Sequence, residues 1–182
     1  MTSSFKSIMV AGGAGFIGSN FVHYLREAHP ATRVLVVDKL TYAGNMDSLK
    51  QSLGDEAVEF VEGDIADREL METLTTRCDA VVNFAAESHN DRALLDPGPF
   101  VETNVRGAGV LAYAAAAHGV ERYVHVSTDE VYGQIADGSF KEGDELRPRS
   151  TYPATKASGE MMILAAVESF GLQAAITRGV NN

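Results

Sequence analysis

The chain has 182 residues, 45% hydrophobic and 22% charged, proportions of an ordinary globular domain with its own core. Its 25 acidic and 15 basic residues give a formal charge of −10. This disfavours nucleic acid and anionic membranes as partners, while a local site can still accept an anionic substrate. No apolar run reaches the roughly 18 residues of a membrane span. The polar start, Met1 to Lys6, does not read as a secretory signal. The single cysteine, Cys78, can form neither an internal disulfide nor a cysteine metal cluster, so a reducing cytoplasm is expected.

Strand and helix alternate along the chain. Ser7–Ala11 is a short β run. A glycine cluster follows, then a helical pattern over Phe16–Ala28 and a buried strand, Arg33–Asp38. Val58–Val61 reads as a third strand. Asp67 is placed to cap a helix reaching Thr76. Ala80–Phe84 is a fourth strand, and Phe100–His118 a long helix stopped by Gly119. Tyr123–Ser127 is the fifth strand. Glycine, proline and charge make Gly133–Ser150 a loop. Thr151–Phe170 is a helix with Pro153 tolerated in its first turn, and Gln173–Thr177 a sixth strand. Such alternation implies one α/β domain over 1–182, a doubly wound parallel sheet covered on both faces. The last strand runs straight into Asn181 and Asn182 with no closing helix, so the chain is expected to be the N-terminal part of a longer protein.

Gly12-Gly13-Ala14-Gly15-Phe16-Ile17-Gly18 lies between the first strand and the first helix. Glycines there let the backbone approach a pyrophosphate, and the helix start offers unpaired N–H groups to it. Asp38 ends the second strand, where a carboxylate can bind ribose hydroxyls and repel a 2′-phosphate. NAD is therefore favoured over NADP, with Lys39 next door working slightly against that preference.

Tyr152 and Lys156 are four residues apart at a helix start and share a face. A nearby ammonium stabilises a phenolate and lowers the tyrosine pKa. The segment Ser127-Thr128-Asp129-Glu130-Val131-Tyr132-Gly133 ends the fifth strand, at the edge where open parallel sheets form their ligand crevice. Thr128 can donate to a substrate oxygen beside the tyrosine. Asp129 and Glu130 read alone as turn residues or a cap, and beside Thr128 and the Tyr/Lys pair as an acid–base pair. No histidine–carboxylate cluster has metal-ligand spacing, so no metal is expected.

Together these residues resemble the extended short-chain dehydrogenase/reductases that act on sugar nucleotides, most closely the dTDP-glucose 4,6-dehydratases. The matching segments include Asp38–Asn45, Gly63–Ile65, Ala85–His89, Glu102–Asn104, Ser127–Gly133 and Tyr152–Lys156. The resemblance implies a Rossmann-type fold, bound NAD and a nucleotide-sugar substrate, with most of the substrate subdomain lying beyond residue 182. It implies that Tyr152, helped by Thr128 and Lys156, takes the C4 hydroxyl proton. Glu130 would remove the C5 proton and Asp129 would protonate the leaving C6 hydroxyl. For the cofactor it implies Gly12, Gly15, Phe16, Ile17 and Gly18 at the pyrophosphate, and Asp38, Lys39, Leu40 and Thr41 near the ribose. Asp64 and Ile65 would meet the adenine, and Phe84, Ala85, Ala86, Ser88 and Thr103 would run beside the ribose and nicotinamide. Ser88, Thr128 and Asn181 would touch substrate, with His89 in a supporting role.

Three departures stand out. Ala11 replaces a threonine, Asn90 replaces an apolar residue after His89, and Gly179-Val180 replaces Cys-Ser. Related readings are a UDP-glucose 4,6-dehydratase, a 4-epimerase or UDP-glucuronate decarboxylase, and an NAD-binding module inactive as a fragment. Asp129-Glu130 argues against the epimerase and decarboxylase. The resemblance also implies a homodimer whose subunits pair Phe100–His118 and Thr151–Phe170 in a four-helix bundle. Val110, Leu111, Ala114, Ala115 and Met161–Leu164 supply candidate contact residues.

Overall fold

The structure is a computed structural model that describes residues 5–180. Its six strands are β1 (Ser7–Ala11), β2 (Arg33–Asp38), β3 (Val58–Glu62), β4 (Ala80–Asn83), β5 (Arg122–Thr128) and β6 (Ala174–Gly179). They form one sheet in the order β3-β2-β1-β4-β5-β6, and every pairing is parallel. The chain runs outward from β1 to β3, then returns to the other side of β1 with β4. The gap beyond the carboxyl ends of β1 and β4 is the switch point at which this Rossmann-type order opens a crevice.

Side chains alternate across each strand. Ile8, Val10, Val34 and Val36 pack under α1 (Phe16–Ala28), against Val22 and Leu25. Met9, Ala11, Leu35, Val37 and Val81 face the other way. There they meet α2 (Arg68–Thr75), α5 (Ala108–Ala117) and α6 (Thr151–Phe170). Burial on both faces is why Val34–Val37 reads as an unbroken apolar run. The cover is uneven, because Ala175, Thr177 and Gly179 of β6 turn away from α6 and are exposed.

Local signals set the element ends. Asp67 caps α2 by accepting from the Leu70 N–H at 3.1 Å. Gly171 closes α6 in the left-handed region, φ 74°. The expected helix over Phe100–His118 is made of three consecutive pieces: α4 (Gly98–Phe100), a π-helical segment Val101–Gly107, and α5. Within the π turn Asn104 directs its side chain outside its own helix. Its Oδ1 accepts from the Glu87 N–H at 2.8 Å, and its Nδ2 donates to the Glu87 carbonyl at 2.9 Å and to Thr155 Oγ1 at 3.0 Å. A 3-10 turn over Met46–Leu49 and the short helix α3 (Asn90–Leu95) complete the fold; neither shows a hydrophobic period long enough to read from sequence.

Of the proposed dimer residues, Leu111, Ala114, Ala115 and Ile163 are core residues facing the sheet and neighbouring helices. Met161 and Leu164, with Val101 and Phe170, are exposed apolar side chains of this layer.

Gly159 lies in mid-helix where α6 touches the π segment, and a Cβ there would collide with the Asn104 carbonyl oxygen. Gly→Ala inside a helix ordinarily stabilises by about 0.5–1 kcal/mol. Gly159→Ala should instead destabilise the chain by about 1–3 kcal/mol, the cost of overpacking. Urea denaturation measures the sign directly.

Candidate active site

A cavity of about 690 Å³ occupies the switch point. Its first end is backbone. Gly12 adopts φ 73°, and a Cβ on it would strike the Ala85 backbone, so only glycine lets the loop come this close to the exit of β4. Gly15 precedes α1 without a side-chain cap, and the first turn carries no acidic residue. Gly15, Phe16, Ile17 and Gly18 line the cavity, presenting the uncapped N–H groups and positive dipole end to an anion.

Asp38 is fixed at the edge of this loop. Its Oδ2 accepts from the Ala14 N–H at 3.0 Å and its Oδ1 from the Leu40 N–H at 2.9 Å. Each oxygen keeps a lone pair for a ligand. Lys39 does not oppose Asp38, because its ammonium is paired with Asp64 at 2.9 Å. All the expected cofactor residues line the cavity except Leu40. Its side chain packs into the core beneath α1, because its left-handed backbone, φ 53°, turns it away from the cavity. Tyr42 then reaches across: its hydroxyl donates to the Ser88 carbonyl at 3.0 Å, and the Arg92 guanidinium lies 3.8 Å over its ring.

The other end of the cavity is built from side chains. Thr128 ends β5 and caps the 3-10 turn Asp129–Tyr132 by accepting from the Glu130 N–H at 3.2 Å. The turn aims Glu130 into the cavity, while Asp129 does not line it and its carboxylate lies 3.4 Å from the Thr128 hydroxyl. Tyr152 and Lys156 both line the cavity from the first two turns of α6.

Their electrostatics differ from the simple pairing expected of them. Burial, and then the Glu130 carboxylate, push the Tyr152 phenol up to about 12, against a lowering contribution from the Thr128 hydrogen bond. Lys156 is not among the charges that lower it. Its ammonium is buried, donates to the Val126 carbonyl at 2.7 Å, and is pushed down to about 8 by desolvation, which Glu160 partly offsets. The i,i+4 spacing brings both groups to one wall, but burial dominates the phenol's environment.

Behind this wall lies a charged cluster that local sequence reading misses. Glu160, one turn past Lys156, is fully buried. Arg178 of β6 donates to its Oε2 through Nη2 at 2.7 Å and Nε at 3.0 Å, and through Nη1 to the Tyr132 hydroxyl at 2.6 Å. Ser127 donates to the other Glu160 oxygen. The Glu160 spacing from Lys156 was a readable signal; the Arg178 contact, across 18 residues and two elements, was not. Asn181 lies outside the described residues. Among the described residues no group of three or more His, Cys, Asp or Glu could hold a metal ion, and no helix is long and apolar enough to cross a membrane.

The model of the NAD dependent epimerase/dehydratase family matches residues 8–182. The chain belongs to that family. It is 49% identical over 181 residues to a dTDP-glucose 4,6-dehydratase of Streptomyces antibioticus, covering 97% of this chain and 53% of the relative. It is also 49% identical to the low-salt glycan biosynthesis protein Agl12 of Haloferax volcanii, over 96% of this chain and 56% of the relative. The crystal structure of DesIV, a dTDP-glucose 4,6-dehydratase of Streptomyces venezuelae solved with NAD bound, superposes with a TM-score of 0.91 at 46% identity, covering 94% of this chain and 55% of that one. A UDP-glucose 4-epimerase of Thermotoga maritima gives 0.85 at 31% identity, over 94% and 54%. The chain thus spans about half the length of the relatives it matches.

Within this epimerase/dehydratase fold, holding Lys156 carries a pH signature. Below about pH 8 the lysine is charged in both folded and unfolded states, and the folded state bears the full burial cost. Above its ordinary value of 10.5 it is neutral in both, and the cost is gone. Lys156→Met should therefore stabilise the chain at neutral pH, by up to about 3 kcal/mol at ~1.4 kcal/mol per pKa unit. The difference from the unsubstituted chain should shrink as pH rises from 8 to 10.5. Thermal melts of both chains across that range check it; a destabilised variant at pH 7 would mean the Val126 hydrogen bond outweighs desolvation.

Proposed function

We propose that residues 1–182 form the NAD-binding and catalytic half of a sugar-nucleotide 4,6-dehydratase that converts dTDP-glucose to dTDP-4-keto-6-deoxyglucose. The observation that carries this reading is the convergence of Thr128, Glu130, Tyr152 and Lys156 at one end of a cavity whose other end is the glycine loop. The dTDP-glucose 4,6-dehydratases at 45–49% identity support the substrate class.

The cavity fits the cofactor. Its loop admits backbone approach only, α1 presents uncapped donors, and Asp38 retains acceptor capacity for ribose hydroxyls. The Thr103 hydroxyl is buried on the cavity wall without a protein partner among the described residues, the mark of a group completed by a ligand. Bound NAD would supply the reversible two-electron acceptor that takes hydride from C4 and, once water has left, returns it to C6, with a proton restored at C5, so that the cofactor ends each turnover oxidised.

Tyr152 accepts the C4 hydroxyl proton. Since burial and Glu130 keep the phenol protonated in the free chain, it becomes a base only when bound ligands bring positive charge beside it; Lys156, one turn along and held on the Val126 carbonyl, lines the same wall. Thr128 donates to the same oxygen and orients it. Oxidation at C4 acidifies C5, and Glu130, projecting into the cavity, removes that proton. Asp129 protonates the departing C6 hydroxyl after a rotation that brings its carboxylate to the cavity. The buried Cys78 thiol, held up to about 12 by burial, suits a protein of the reducing cytoplasm.

The exposed Val101, Met161 and Leu164 support a homodimer that pairs the π–α5 helix and α6 between subunits. Light scattering of the full-length protein at micromolar concentration should give twice the chain mass, and Leu164→Glu should shift it toward monomer.

The assignment is tested by separating the steps in the full-length protein with dTDP-glucose. Tyr152→Phe should abolish C4 oxidation, so that no NADH absorbance appears in a single turnover. Glu130→Gln should retain oxidation but lower C5 proton exchange and turnover by about 10²–10⁴-fold. Unchanged C5 exchange in the glutamate variant would rule out the dehydratase and favour a C4 epimerase or decarboxylase.

A further inference from the structure

Asn90 heads α3, and neither the fold nor the steps above make use of it. His89 before it adopts φ 77° and supplies no side-chain cap, so the strand-to-helix corner throws Asn90 toward the cavity, which it lines beside Glu130. Both ends of its amide are engaged. Nδ2 donates to Glu130 Oε2 at 3.2 Å, and Oδ1 accepts from the Ser150 hydroxyl at 2.7 Å. The amide can point only this way, because an ionised carboxylate accepts and never donates. Asn90 is the only side chain hydrogen-bonded to the Glu130 carboxylate among the described residues. Ser150 occupies the N-cap position of α6 yet caps no N–H of its own helix; its hydroxyl is committed to Asn90.

These contacts join points 40 and 60 residues apart: the loop after β4, the turn that carries Glu130, and the start of the helix that carries Tyr152 and Lys156. The donor type matters. A lysine or arginine in this place would fix the carboxylate but also favour its charged form and weaken it as a base. A neutral amide holds the carboxylate in place without a counter-charge.

We propose that Asn90 is a positioning residue: through its hydrogen bonds to Glu130 and Ser150 it holds the Glu130 carboxylate toward the sugar C5 and in register with Tyr152. The proposal rests on the reading of Glu130 as the C5 base.

The test uses the NAD-loaded full-length protein with dTDP-glucose in deuterium oxide. Single-turnover NADH absorbance reports C4 oxidation, and deuterium incorporation reports proton removal at C5. Asn90→Val should lower C5 exchange and kcat about tenfold, the loss of one hydrogen bond to a charged group, while C4 oxidation and KM stay within twofold. Ser150→Ala, which frees the far end of the amide, should give a smaller loss of the same kind. In a Glu130→Gln background, Asn90→Val should add nothing, since the group it positions is gone. Asn90 is exposed at the head of a short helix, and unchanged NAD affinity of each variant confirms an intact fold. A raised KM with unchanged kcat would make Asn90 a substrate contact and overturn the proposal, as would slowed C4 oxidation or a full additional loss in the Glu130→Gln background. Glu130→Gln with unaltered C5 exchange would instead remove the base assignment itself, and the proposal with it.

Discussion

A positive charge held out of water governs the catalytic end of this molecule. The Lys156 ammonium is buried against the Val126 carbonyl. Glu160, one turn on, is also buried and is held by Arg178 and Ser127. The result is a line of alternating charge running from the cavity wall through the helix to the edge strand. The Glu160–Arg178 ion pair contributes little net stability, because desolvation consumes most of the Coulomb attraction, but removing either of those two partners strands the other. The network's consequence is geometric. Arg178 also holds the Tyr132 hydroxyl, and Tyr132 ends the turn that begins with Asp129 and Glu130. Helix α6, the Asp129–Tyr132 turn and the edge strand are therefore fixed by one set of contacts.

That set also explains why the Tyr/Lys spacing misleads when read alone. A separation of four residues puts two side chains on one face; it says nothing about where each charge is solvated. Here the backbone carbonyl of a neighbouring strand takes the ammonium, and the phenol lies next to a carboxylate from a turn 22 residues upstream. The free chain keeps its tyrosine protonated. In the proposed reaction, deprotonation of Tyr152 would depend on charge that arrives with the ligands, which would link catalysis to a filled cavity.

What could be read from the sequence follows the range of the interactions involved. Arg33–Asp38, the Asp67 cap and the Gly119 stop are set by residues within a turn or two, and each lies where its local pattern places it. The glycine loop was readable because its requirement is backbone geometry, which residue type alone reports. The π segment was not, because Asn104 has the composition of any helical residue and its partners, Glu87 and Thr155, are 17 and 51 residues away. Asn90 was visible as an unusual residue in a familiar segment, but its meaning depended on Glu130 and Ser150 being brought to it by the fold.

The two ends of the cavity therefore differ in kind. The dinucleotide end is made of backbone: glycines, an uncapped helix start, and a carboxylate anchored by two N–H groups. Such a surface is rigid before any ligand arrives. Its rim, however, carries two non-glycine residues in the left-handed region, Leu40 and His89, each costing of order 1–3 kcal/mol. They flank the arms that Tyr42 bridges through Ser88 and Arg92. A strained conformation persists only where its surroundings over-determine it, and here those surroundings are a ring, a guanidinium and one carbonyl. The same His89 corner that supports this bridge also directs Asn90 toward Glu130. The contacts of the rim and the hydrogen bond to Glu130 thus share one backbone corner, which joins the two ends of the cavity without passing through the core.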